Sequence, residues 1–176
     1  MKKPIIFTIG HSTHQIDEFI ELLNAHSIKG IVDVRTIPKS RYNPQFNEEE
    51  LKDSLQKAHI RYKHLKELGG LRHTTKDSIN LGWHNASFRG FADYMASEEF
   101  KKGLQALIKI ANVRNTAIMC AEAVPWRCHR SLIGDVLTKK GWLVEDIMSR
   151  TSAPKHRLTS FLKVRKGQLI YPEPKK

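Results

Sequence analysis

The chain has 176 residues, 40% hydrophobic and 27% charged, enough to enclose a core without disulfide or metal staples and too apolar for a disordered segment. Lysine and arginine number 30 against 18 acidic residues, a formal charge of +12, and this excess points to an anionic partner. No apolar run approaches the ~18 to 20 residues of a membrane span, the N-terminus turns polar too early for a signal peptide, and two cysteines make no disulfide framework; the expectation is one cytoplasmic domain spanning residues 1–176, with no membrane partner.

Ile5-Ile6-Phe7-Thr8-Ile9, stopped by Gly10, reads as a buried strand. Ser12 and Gln15 have capping-box spacing, and Ile16, Phe19, Ile20 and Leu23 share one face of the helix that follows. Residues 30–35 are a second strand, and Asn47 with three glutamates opens a helix turning Leu51, Leu55 and Ala58 inward. Residues 60–65 form a third, amphipathic strand, Gly69-Gly70 a turn, and residues 71–86 show no period. Ser97 caps a helix with Phe100, Leu104, Leu107, Ile108 and Ala111 on one face. Thr116-Ala117-Ile118-Met119-Cys120 has the near-continuous apolar character of a central parallel strand. A helix beginning near Pro125 then runs to Lys139-Lys140-Gly141, residues 142–148 are a last central strand, and residues 161–164 and 168–171 form a hairpin about Lys166-Gly167.

Strands alternating with helices predict an α/β fold: a mostly parallel sheet with helices on both faces, three-layer and Rossmann-like, with a small C-terminal hairpin. Its crevice lies beyond the carboxyl ends of the strands, at a topological switch point. The unusual residues fall in such segments: Gly10-His11-Ser12, Asp33 with Arg35, Arg41 to Asn43, and Cys120 through Arg130.

A helix starting at Pro125 or Trp126 places Cys128, His129 and Arg130 in its first turn, where free N–H groups and the helix dipole attract an anion and lower a thiol pKa. The competing reading makes Cys128, four residues before Leu132, and Cys120 small core residues. Glu122, just past a buried strand, suits a general base; otherwise it caps the next helix or pairs with Arg130. Zinc on Cys120, Cys128, His129 and His11 is disfavoured, because seven residues separate the cysteines. Gly10 permits close approach of a ligand, with His11 and Ser12 beside it, although Ser12 also reads as an N-cap. Asp33 and Arg35 share a strand face, as an ion pair or as ligand contacts. Arg41 and Asn43 suit bidentate contact with a phosphate or a base edge, and Arg89 lies between Phe88 and Phe91, in a base-stacking or a core segment.

The segments Thr8-Ile9-Gly10-His11-Ser12, Asp33-Val34-Arg35 with Pro38, Ser40, Arg41, Pro44 and Phe46, Leu65-Lys66-Glu67-Leu68-Gly69-Gly70, Phe88 through Met95, Cys120 through Arg130, His156-Arg157-Leu158-Thr159 and Tyr171-Pro172 together resemble the domain-of-unknown-function 488 family. The resemblance implies that His11, Asp33, Arg35, Arg41, Arg89, Cys120, Glu122, Cys128, His129 and Arg130 belong to one site, more often enzymatic than structural, with His156 a further motif residue. It names no reaction.

The leading reading is an enzyme acting on a phosphorylated, nucleotide-like or nucleic-acid substrate. Glu122 or His129 does acid–base work, Cys128 is positioning or nucleophilic, His11 and Ser12 adjoin, and Arg35, Arg41 and Arg130 hold the anion. The sequence requires no cofactor. A non-catalytic nucleic-acid binding module is the alternative, followed by a redox or zinc protein.

Overall fold

A computed structural model describes residues 2–176. The main sheet is parallel throughout, with strands β1 (Ile5–Gly10), β2 (Gly30–Asp33), β3 (Arg61–His64), β4 (Thr116–Cys120) and β5 (Leu143–Asp146) in the order β3-β2-β4-β1-β5. Its helices are α1 (Ile16–Ala25), α2 (Glu48–Lys57), α3 (Ala86–Tyr94), α4 (Glu98–Val113) and α5 (Arg130–Lys139); β6 (Lys163–Arg165) and β7 (Gln168–Ile170) make a separate antiparallel hairpin. Among the described residues no helix is long and apolar enough to cross a membrane.

The two-residue period of the strands sorts their side chains between two apolar layers. Phe7, Ile9, Ile31, Ala117 and Met119 pack with Phe19 and Leu23 of α1 and Leu51 and Leu55 of α2. Ile6, Val32, Ile118 and Cys120 pack on the opposite layer with Phe91 of α3, Leu104 and Leu107 of α4, and Leu132 and Ile133 of α5. The chain therefore leaves β1 and β2 toward one face and β4 toward the other. Because β4 lies between β1 and β2, the switch point falls at its carboxyl end, level with Gly10 through the Gly10 to Cys120 register.

Local chemistry sets the boundaries. Ser97 accepts from the Phe100 N–H and caps α4, an interaction worth about 1 kcal/mol. Asn47 does occupy the N-cap position of α2, but its side-chain oxygen accepts from the Ser40 N–H instead, tying down the loop after β2. Ser12 is not a cap: α1 starts at Ile16 behind Gln15, and Ser12 sits in the left-handed region at φ 48°. The aperiodic stretch before residue 86 ends in Asn85, whose side chain accepts from the Ser87 and Phe88 N–H groups and opens α3.

Two further expectations change. Residues 125–127 form a separate 3-10 turn, Cys128 is extended, and α5 begins only at Arg130, so Cys128 precedes the helix. The strand at residues 143–146 pairs only with β1 in the main sheet and is an edge, not a central strand. Its outer side is met by the tail, where the His156 N–H donates to Val144 O at 2.8 Å and the Asp146 N–H to Pro154 O at 2.9 Å. That cover answers the hazard of a bare edge. The hairpin turn uses Lys166 at φ 49° and Gly167 at φ 77°, as a right-twisted ribbon demands.

Candidate functional site

Cys120 closes β4 and Cys128 precedes α5, and the loop between them folds back so that their sulfurs lie 2.7 Å apart. Both side chains are nearly buried, but both line an open pocket of about 450 Å³ at the switch point. That pocket also takes in Arg35, Lys39, Gly70, Asn85, Ser87, Phe88, Glu122, Arg127 and His129.

Arg130 organises the sulfurs. Its Nη1 donates to Cys120 Sγ and to Glu122 O, both at 2.6 Å, its Nη2 to Ala123 O at 3.3 Å, and its Nε to Thr8 Oγ1 at 3.3 Å. The guanidinium is 1% exposed, so its N–H groups serve the loop and Cys120 in place of a ligand in the pocket. The Arg130 N–H points at Cys128 Sγ, 3.4 Å away, so the sulfur stands where an N-cap oxygen ordinarily does. Burial alone pushes the Cys128 thiol up, but the hydrogen bond with Cys120 and the charge and N–H of Arg130 outweigh it, and the thiol lies below its ordinary value. Burial pushes Cys120 well above its own.

His129 completes the arrangement. Its Nε2 stands 2.9 Å from Val34 O and 3.0 Å from Leu68 O, two groups that only accept, so Nε2 carries the proton. Nδ1 is left with its lone pair, 3.6 Å from Cys128 Sγ. Burial holds the ring below the usual histidine value, in the neutral form. Phe91 meets the ring edge-on, and a Cβ on Gly70 would lie 2.5 Å from Nδ1, so Gly70 provides the space for this ring.

Glu122 is exposed at the pocket mouth; its backbone, not its carboxylate, meets Arg130. A Cβ on Gly10 would lie 1.7 Å from Glu122 O, so the close approach that Gly10 permits is that of the protein's own loop. Lys39 and Arg127 line the pocket with exposed side chains.

On the opposite layer Arg35 donates to Asp33 from Nε and Nη2, the latter at 2.7 Å, while the Tyr62 hydroxyl donates to the same carboxylate at 2.6 Å. The Asp33–Arg35 pair is therefore structural, although Arg35 also reaches the pocket wall. His11 lies against it, with Arg35 Nη1 3.4 Å from Nε2 and the ring stacked on Phe46 at 4.3 Å; burial lowers its pKa to about 4. Arg41, Asn43, Arg89, His11 and Ser12 do not line the pocket. Arg41 lies over Tyr42, the Asn43 N–H donates to Ser40 Oγ, and Arg89 donates to Trp83 O. Among the described residues no group of three or more His, Cys, Asp or Glu side chains is arranged to hold a metal ion.

Lys39, Asn85 and Ser87 join the pocket without having been singled out from sequence. The Asn85-Ala86-Ser87 signature of a helix start was the legible signal for two of them. His156 lies away from the pocket, between Asp135 Oδ1 at 2.8 Å and Asp146 Oδ2 at 3.7 Å, and these carboxylates raise its pKa to about 9 against the effect of burial. Asp135 also accepts from the Thr159 and Tyr171 hydroxyls, so it clamps the tail to α5.

No curated protein and no solved structure matches the chain. The family model described as Domain of unknown function DUF488 matches residues 15–137, from just before α1 to within α5. That stretch holds Asp33, Arg35, Glu122 and both cysteines, while the motifs at residues 8–12, 156–159 and 171–172 lie beyond it. With the greater part of its length matched, the chain belongs to the DUF488 family of domains of unknown function.

Proposed function

We propose that the protein is an enzyme that uses Cys128 as a nucleophile on a phosphorylated or nucleotide-like anion bound in the pocket. The observation that carries this reading is the position of Cys128 Sγ, on the wall of a cation-rimmed pocket with the Arg130 N–H at 3.4 Å and the unprotonated Nδ1 of His129 at 3.6 Å. A nucleophile beside a base that is itself oriented by a third group is the recurring logic of covalent catalysis. Here two backbone carbonyls do the orienting. Lys39 and Arg127 attract the anion, Arg35 adds a charge largely answered by Asp33, and Glu122 at the mouth exchanges a proton with the leaving group or with water.

The test is protection against alkylation. Iodoacetate, itself an anion, should modify Cys128 in preference to Cys120, and adenosine monophosphate should slow the reaction. Alanine at both Lys39 and Arg127 should weaken that protection by roughly tenfold. Protection by a single-stranded oligonucleotide but not by the mononucleotide would favour the binding module, and protection by neither would overturn the reading.

A further inference from the structure

The pairing of Cys128 with Cys120 is more than nucleophilic chemistry requires, since His129 and the Arg130 N–H already attend the reacting sulfur. Cys120 brings a second sulfur to 2.7 Å, whereas bonded sulfurs stand about 2.05 Å apart. A bond between them therefore needs only sub-ångström movement. The two residues flank a loop with exposed residues at 121–123 and 126–127, so the adjustment need not disturb β4 or α5. The two thiols differ in character, Cys128 lying below the ordinary thiol value and Cys120 well above it, which is the division between an attacking and a resolving thiol.

We infer that Cys120 and Cys128 form a reversible intramolecular disulfide in response to peroxide, and that this bond switches the site off. The Cys128 thiolate attacks one peroxide oxygen, the O–O bond breaks, and hydroxide departs to be protonated to water, leaving Cys128 as a sulfenic acid. The Cys120 sulfur then attacks Cys128 Sγ, the S–O bond breaks, and the departing hydroxide leaves as water with the Cys120 proton. Two thiols have lost two electrons and one peroxide has become two waters. Peroxide is small enough to enter by the open pocket that both sulfurs line. Loss of function on oxidation rests on the nucleophile assignment; bond formation does not.

The sequence makes the bond easy to detect. Trypsin cuts after Arg114, Arg127 and Arg130, so Cys120 and Cys128 fall on separate peptides, 115–127 and 128–130. Wild-type protein treated with hydrogen peroxide should yield these joined, with the intact mass lowered by two hydrogens, and dithiothreitol should restore both thiols and the iodoacetate reactivity of Cys128. In the Cys120→Ser variant the reaction should stop at a Cys128 sulfenic acid that dimedone captures. Over-oxidation of Cys128 with Cys120 still free in wild-type protein, or two thiols that peroxide leaves unchanged, would overturn the inference. Both outcomes concern peroxide, whereas mononucleotide protection is read with iodoacetate on the reduced protein, so an absence of protection in protein that still forms the disulfide would defeat only the proposed function.

Discussion

Helix α5 carries two buried histidine sites with opposite logic. Beside its first turn, His129 is neutral, fixed by two carbonyls through one nitrogen, and the lone pair of the other faces a sulfur. Along its length Asp135 holds His156 as a cation, with Asp146 on the other ring nitrogen and Thr159 and Tyr171 completing the Asp135 carboxylate. A buried polar group with every partner satisfied fixes structure, whereas one left with an unused lone pair beside a thiol is available for chemistry. The two sites are joined physically: the Thr8 hydroxyl accepts from Arg130 Nε and donates to Asp146 Oδ1 at 2.6 Å.

The contrast breaks most visibly at Asp135. Removing one partner of a buried charge pair costs about 3 to 5 kcal/mol, and Asp135→Ala strands the His156 charge together with two hydroxyls. Urea unfolding should show a loss of that order, while the alkylation rate of folded Cys128 stays within roughly twofold of wild type. A large change in that rate would mean that Thr8 transmits the tail clamp to the thiol, and the division into structural and chemical sites would fail.

Stability against pH tests the same division through protons. Native His156 binds its proton more tightly than the unfolded chain, so its contribution is complete below the ordinary histidine value near 6.5 and disappears as pH climbs through about 9. His11 acts in the other direction: below 6.5 the unfolded chain takes up a proton that the buried ring refuses until about 4, so stability falls across that interval. Burial lowers His129 likewise and adds to the acid limb. Each of the first two effects is on the order of 3 kcal/mol. Equilibrium unfolding from pH 4 to 9 should peak near 6.5. In His156→Gln the alkaline slope should flatten and the acid slope remain.

The difference between the two sites was only partly visible before folding. Local pattern sufficed for the layers: the near-continuous apolar run of β4 and the facing apolar positions of α1 and α4 are properties of neighbours in sequence. It misjudged the start of α5, because Pro125 looks like a first-turn proline whether a 3-10 turn or an α-helix follows. It placed the last strand in the centre because residues 142–148 are apolar enough, and nothing local announces that residues 154–156 will cover its edge. The cysteine–histidine–arginine segment stood out by residue type. Its chemistry depends on Val34 and Leu68 carbonyls from distant segments and on the absence of a side chain at Gly70, and the Asp135–His156 clamp spans separations that period and spacing do not encode. Arg41 and Arg89 were chosen for their chemistry alone, and the fold directs them elsewhere.

A smaller effect is expected at His129 itself. His129→Gln keeps a donor for the two carbonyls but removes the ring nitrogen facing the sulfur. Alkylation of Cys128 at neutral pH should slow by on the order of tenfold, about 1.4 kcal/mol, with little change in the urea midpoint. A slowing matched by an equal loss of stability would make His129 as structural as His156.

Glu122 should have the least effect on stability and sharpens what the chemical site needs. Its carboxylate is exposed and its contact with Arg130 runs through the backbone, so Glu122→Gln should alter unfolding by no more than about 0.5 kcal/mol. Loss of a negative charge from a rim that otherwise carries Lys39 and Arg127 should strengthen mononucleotide protection by roughly twofold to fivefold, less at high salt, because an exposed charge acts through screened solvent. If Glu122 moves the proton in turnover, the same variant binds better and reacts worse. No other group on the pocket wall predicts that opposition: losing Lys39 or Arg127 weakens binding and reaction together, and losing Cys128 removes reaction without improving binding. A variant that binds more tightly and turns over as fast as wild type would leave Glu122 as an electrostatic gate and return the proton transfer to His129.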